Sequence, residues 1–139
     1  KMPPTITKLE HTEIWWDKQI ATSNKIPHNR PDLVIWDTSD KTCKIVDICV
    51  PLDVNIDLRE KTKRDDYLPL SDQLQRLYPT YKYQLIPIIV GAMGGISKKL
   101  RGNLMKVGCQ ESDIDNIIER MQKLALLGTL TICKNFQKM

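Results

Sequence analysis

Pro31-Asp32-Leu33-Val34-Ile35-Trp36-Asp37-Thr38-Ser39-Asp40 enters a short apolar run through a Pro-Asp pair and leaves it through a cluster of turn formers. Cys43-Lys44-Ile45-Val46-Asp47-Ile48-Cys49-Val50-Pro51 follows as a second run rich in β-branched residues. Two such runs separated by Asp, Thr and Ser read as strands joined by a turn, so they are predicted to pair as an antiparallel hairpin. Pro51 has no N–H to give to a ladder and closes the second strand. Asp32 then lies at the mouth of one strand and Asp47 near the middle of its partner. The 14 residues between them leave room for two short strands and a turn. The two carboxylates are thereby expected on one edge of a sheet.

Working outward, residues 1–11 carry Pro3 and Pro4 without a clear period and read as a lead-in arm. Thr12 to Ile20 is rich in β-formers and reads as a first strand, ended by the polar Ala21–Lys25 segment. Between Asn55 and Leu77 the composition turns polar and helical. Pro69 cannot sit inside a helix without losing a backbone bond, so helices are predicted near 56–67 and 70–78. Leu85 to Val90 is a compact apolar run stopped by Gly91-Ala92-Met93-Gly94-Gly95 and reads as a buried strand. A basic helix follows, with Ser97 as N-cap and Gly108 just past its end. The last helix begins at Ser112 and presents Ile114, Ile117, Ile118, Met121, Leu124 and Ala125 as one core-facing stripe. Thr129 to Phe136 either continues it or forms a strand. The order strand, strand, strand, helix, helix, strand, helix, helix predicts an α/β fold of the α+β mixed kind, with a mixed central sheet of about four strands flanked by helices. Residues 12–139 are expected to form one domain.

At 139 residues, 41% hydrophobic and 27% charged, the chain is long enough to bury its own core. No apolar stretch reaches the ~18 residues that a membrane span needs, so no membrane partner is expected. Cys43, Cys49, Cys109 and Cys133 form no C-x2-C pair, which argues against a zinc knuckle or a disulfide framework and points to a reducing compartment. A formal charge of +4 permits an anionic partner without requiring one.

Hard cations such as Mg2+ prefer oxygen ligands and are held by one or two carboxylates with waters and substrate phosphate. Asp32 and Asp47 on one sheet edge suit that chemistry, which is what phosphodiester hydrolysis requires. A Pro-Asp dipeptide also serves simply to shape a turn. Asp47 is more telling, because it interrupts the apolar sequence Ile45 to Val50, where an unpaired charge facing the core is expensive.

The stretch Ile26-Pro27-His28-Asn29-Arg30-Pro31-Asp32-Leu33-Val34-Ile35-Trp36-Asp37, followed by Lys44 to Pro51, resembles the restriction-like, PD-(D/E)xK endonuclease domain of site-specific non-LTR retrotransposons. The resemblance continues through the Lys/Glu-rich segment ending in Tyr67, the Ile86–Ala92 strand and Leu127-Gly128-Thr129, covering about residues 12–132. It implies a restriction-endonuclease-like core in which Asp32 and Asp47 bind a catalytic Mg2+ or Mn2+. A lysine would orient water or neutralise developing charge. Where a D-x-K motif would place that lysine, this chain has Cys49. The resemblance implies that the lysine has moved to the following helix. Lys63, four residues before Tyr67 and so on the same helix face, is the expected replacement, with Lys61 and Arg64 as neighbours open to the same role. The alternative for Arg59, Glu60, Lys61, Lys63, Arg64, Asp65 and Asp66 is a solvated helix face.

The implied activity is nicking of target DNA to prime an upstream reverse transcriptase. That would give the chain DNA and the rest of a reverse-transcriptase polyprotein as partners, the nucleus as location, and compatibility with a dimer. The rival is a catalytically inactive descendant that binds nucleic acid or docks to its own polyprotein. His28, Asn29 and Arg30 are candidates for contacting phosphate. Asp17 or Glu13 is a candidate third carboxylate. Lys98, Lys99, Arg101 and Lys106 lie on a basic helix entered through the glycine-rich turn, and the N-terminal amides of that helix could receive a DNA phosphate. That turn lacks G-x-x-x-x-G-K-[ST] and is no Walker loop. Trp15, Trp16 and Trp36 read as core or half-buried strand residues rather than base-stacking platforms.

Overall fold

The hairpin forms as the turn chemistry requires. In the computed structural model, which describes residues 4–22 and 25–137, β3 (Leu33–Asp37) and β4 (Thr42–Cys49) pair antiparallel, with Leu33 opposite Val46, Val34 opposite Ile45 and Trp36 opposite Cys43. Asp37 organises the turn. Its carboxylate accepts the Ser39 and Asp40 N–H groups and the Ser39 hydroxyl, each at 2.9 Å, and these bonds hold its pKa below the usual carboxylate value.

The sheet has five strands in the order β1-β2-β3-β4-β5. β2 (Thr12–Trp16) lies antiparallel to β3, and β1 (Ile6–Lys8) pairs antiparallel with β2. Residues 1–11, expected as a lead-in arm, thus contribute a strand of their own. Thr12–Ile20 ends earlier than expected, because Asp17 takes a left-handed φ of 45°. β5 (Lys82–Ile89) runs parallel to β4: Lys82 donates to the Lys41 carbonyl and Val90 to the Cys49 carbonyl, so both partners advance together. A parallel neighbour needs a crossover. Here α1 (Ile56–Asp66) and α2 (Leu68–Leu77) supply it. Pro69 falls in the first turn of α2, where its missing N–H costs nothing.

Two compact units make up the chain. The first comprises Lys1–Asp47 and Thr62–Pro87, the second Ile48–Lys61 and Ile88–Met139. The core of the first is Ile20, Val34, Trp36, Cys43, Ile45, Tyr67, Leu70 and Leu74, with Trp15, Ile26, Tyr81, Tyr83 and Leu85 packed against it. Trp16 is half-buried, and its indole N–H donates to Thr7 Oγ1.

In the second unit, α3 (Leu100–Val107) and α4 (Glu111–Gln137) follow the glycine-rich turn. Ser97 Oγ accepts the Lys99 N–H, so it supports the approach to α3 rather than capping its first residue. Gly108 ends α3 at a φ of 123°, which suits glycine. α4 runs straight through Gly128, settling Thr129–Phe136 as helix. Ile114, Ile118 and Ala125 are buried, but Leu124, expected in the same stripe, is 69% exposed. At about 100° of rotation per residue it is carried round from Ala125 toward solvent.

Candidate active site

Continuing the β3–β4 register by one residue sets Asp32 opposite Asp47. Directly opposed residues of an antiparallel pair share a face. That face is the one on which Val34, Trp36, Cys43 and Ile45 are buried. The Asp32 backbone N–H lies 3.3 Å from Asp47 Oδ1. Asp47 is only 7% exposed, and its carboxylate is met from the helical side as well. Lys63 Nζ stands 3.0 Å from Asp47 Oδ2, and the Tyr67 hydroxyl donates to Asp47 Oδ1 at 3.4 Å. A charge interrupting an apolar strand is thus paired with an ammonium and hydrogen-bonded, as burial demands.

Lys63 occupies the last turn of α1, while Tyr67 is the residue between α1 and α2. Four-residue spacing still brings both to Asp47 although the helix ends between them. Burial raises the Tyr67 pKa well above its ordinary value, and the negative charges of Asp47 and then Asp32 raise it further. Both carboxylates therefore act on one hydroxyl group. Tyr67 stays a protonated donor near neutral pH.

The space lined by Ile45, Asp47, Lys63, Arg64, Tyr67, Leu85, Ile86 and Pro87 is about 10 Å³, room for no more than one water. Among the described residues, no group of three His, Cys, Asp or Glu side chains is placed to hold a metal ion. Asp32 and Asp47 offer carboxylate oxygens, the ligand type that Mg2+ or Mn2+ takes.

Other predicted residues fall into distinct places. His28 is exposed, with Nε2 3.7 Å from Asp66 Oδ1 and its ring centroid 5.8 Å from that of Tyr67. Arg30 makes a two-pronged contact with the Asp17 carboxylate, Nε to Oδ1 at 2.9 Å and Nη2 to Oδ2 at 3.1 Å. Asp17, offered as a third carboxylate, is thereby committed to Arg30, and Glu13 accepts the Trp15 indole N–H at 2.7 Å. The Asn29 carbonyl accepts the Ile20 N–H and ties down the loop before Asp32. Asp66, for which a solvated face is one of two readings of the sequence, is the partner of His28 that the sequence does not reveal. Its pairing with His28 across nearly forty intervening residues has no local signal.

Within the second unit, the glycine-rich turn already holds an anion. Asp53 Oδ1 accepts the Met93 N–H and Oδ2 the Gly95 N–H, each at 3.0 Å. The turn's Met93 and Gly95 amides therefore face an internal carboxylate. Lys98 and Lys99 are exposed beside a cavity also lined by Asp53, Asp57 and Ser97. Arg101 pairs with Asp115, and Lys106 is exposed. Glu60 also departs from a solvated face: it is 3% exposed and accepts a bond from Asn103 Nδ2.

No family model matches this chain, and no curated protein matches it either. No helix among the described residues is long and apolar enough to cross a membrane.

Proposed function

We propose that the chain is a divalent-metal-dependent DNA endonuclease with a restriction-endonuclease-like core. The observation that carries this reading is the meeting of Asp32 and Asp47 at one register position with the Lys63 ammonium 3.0 Å from Asp47. Carboxylates that select a hard cation and a cation that answers phosphate charge are the minimum that hydrolysis of a phosphodiester uses. Mg2+ or Mn2+ held by Asp32 and Asp47 would activate a water and neutralise charge on the phosphate under attack. Lys63 places a compact positive charge beside the same carboxylate, where low dielectric strengthens it. Tyr67 fixes the Asp47 carboxylate by donating its hydroxyl proton, and its raised pKa keeps that proton in place. His28 stands exposed on the loop that leads into Asp32 and is suited to meet the DNA backbone, whereas Arg30 would join it only by leaving the Asp17 carboxylate.

The setting is that of a nicking domain working beside a reverse transcriptase in the nucleus, as the resemblance at Ile26–Pro51 suggests. Conversion of supercoiled plasmid to open circle, followed while Mg2+ or Mn2+ is titrated into the wild-type chain and into Asp47→Asn, tests the reading. Metal-dependent nicking by the wild type alone is the expected result. DNA binding without nicking by the wild type at any metal concentration would instead leave a binding or docking domain.

A further inference from the structure

Away from Asp47, the first unit carries a cavity of about 150 Å³ lined by Glu13, Trp15, Trp36, Thr38, Tyr78 and Tyr81. Four of those six residues are aromatic. Trp36 is its hub, with ring centroids 5.2 Å from Trp15, 5.2 Å from Tyr78 and 5.1 Å from Tyr81, the last two meeting it edge-on. Trp36 is 6% exposed, and its indole N–H is buried with no acceptor among the described residues. Its neighbour Trp15 has its own N–H satisfied by Glu13. The two tryptophans thus differ: the Trp15 N–H is satisfied by Glu13, and the Trp36 N–H is buried out of reach of solvent. Lys18 lies over the Trp15 ring at 4.8 Å and Lys41 over the Tyr81 ring at 5.2 Å.

We infer that this cavity receives the base of an unpaired nucleotide. Aromatic faces of Trp15, Tyr78 and Tyr81 offer stacking to a flat ring, and the size suits a ring system about that of benzene or a little larger. An organic cation is the poorer occupant, because lysine ammonium groups already stand over two of the rings. Those same ammonium groups match the phosphates that flank a base in a single strand, so charge and shape select one ligand class. A base stacked within a duplex cannot enter without leaving its stack, so the site discriminates for single-stranded or extruded nucleotides. The inference stands on this cavity alone and does not depend on hydrolysis at Asp47.

The test is binding without metal, read by tryptophan fluorescence and by anisotropy of a labelled strand. The probes are a ten-nucleotide single strand, a strand of the same length that is abasic at every position, the duplex of the first strand, and the free mononucleotide. Wild type is expected to bind the intact strand about 10-fold or more tightly than the abasic strand or the duplex. Trp15→Leu and Tyr81→Leu, both at partly exposed positions, should erase that preference while leaving abasic-strand affinity unchanged. Saturable quenching by the mononucleotide would show that the base and one phosphate suffice, whereas quenching by the strand alone would show that flanking phosphates on Lys18 and Lys41 are required. Equal wild-type affinity for intact and abasic strands overturns the inference, and that comparison needs no variant to fold.

Discussion

Lys63 Nζ lies 3.0 Å from Asp47 Oδ2, with the two side chains 24% and 10% exposed. A lysine two residues after the second aspartate would reach the same carboxylate from the strand; here it arrives from the end of α1. Lys63→Ala is expected to lower the single-turnover nicking rate by ~100-fold, the scale of losing one preorganised electrostatic contact, with little change in DNA affinity. Lys63→Arg should restore only part of it, because a planar fork does not fit where a compact ammonium sits. Normal cleavage by Lys63→Ala would move the role to Lys61 or Arg64.

Asp32 and Asp47 are expected to be indispensable for cleavage and unequal for folding. Asp47→Asn keeps an acceptor for the Asp32 N–H and the Tyr67 hydroxyl while removing the charge, so it should fold and bind DNA yet fail to nick. Asp47→Ala also strands Lys63, which is partly exposed and can turn to water, so a loss of only about 1–2 kcal/mol is expected in urea unfolding. Asp32→Ala should abolish nicking with a smaller stability change. Retained metal-dependent cleavage in any of the three would refute the assignment.

Alkaline pH should weaken the fold. Burial raises the pKa of Tyr67, with Asp47 and Asp32 adding to it, and burial raises those of Tyr83 and Cys43 as well. A folded-state value above the unfolded one means that the native chain holds its proton more tightly. The resulting stability is fully present below the unfolded pKa, ~8.5 for cysteine and ~10 for tyrosine, and is lost as pH climbs above those values toward the folded ones. The urea midpoint should therefore fall between about pH 9 and 11. Tyr67→Phe should shrink that fall, and an unchanged pH slope in the variant would show that Tyr67 does not contribute.

Salt dependence separates solvated lysines from phosphate contacts. Lys98 and Lys99 are exposed, whereas Arg101 is paired with Asp115. Lys98→Gln with Lys99→Gln should therefore flatten the dependence of DNA affinity on salt by up to ~0.9 units of logarithmic slope per lost contact. Arg101→Gln should change it less. Equal slopes in wild type and double variant would return both lysines to the solvated surface.

The hairpin, both aspartates and the Lys63–Tyr67 spacing were legible because each is local: a two-residue alternation, a turn cluster, a four-residue step. β1 was not, since Ile6–Lys8 is three residues long and gains its strand character only from pairing with β2. Leu124 satisfied the helical period yet faces water, because periodicity marks an apolar side without saying how wide the neighbouring surface is. The Arg30–Asp17 and His28–Asp66 pairs escaped notice for a related reason. Surface ions carry no sequence mark of their partner, and only the fold brings them together.

Asp53 and the glycine turn give the sharpest stability prediction. A Cβ added at Gly91 would stand 2.0 Å from Asp53 Oδ1 and 3.2 Å from its Cα, and one at Gly95 would stand 2.5 Å from Oδ2. Both oxygens are already engaged by backbone amides, so the carboxylate cannot swing aside without stranding the Met93 and Gly95 N–H groups. Gly91→Ala is expected to destabilise the protein by about 2–3 kcal/mol, combining a steric clash with lost hydrogen bonds. Asp53→Ala should cost about 1–3 kcal/mol by unpairing those amides where water does not replace the carboxylate. Because the two changes damage one contact, the double variant should fall short of their sum by about 1 kcal/mol or more in a urea double-mutant cycle. Strict additivity would mean that Asp53 and Gly91 do not constrain each other, and that the turn owes its shape to its own backbone.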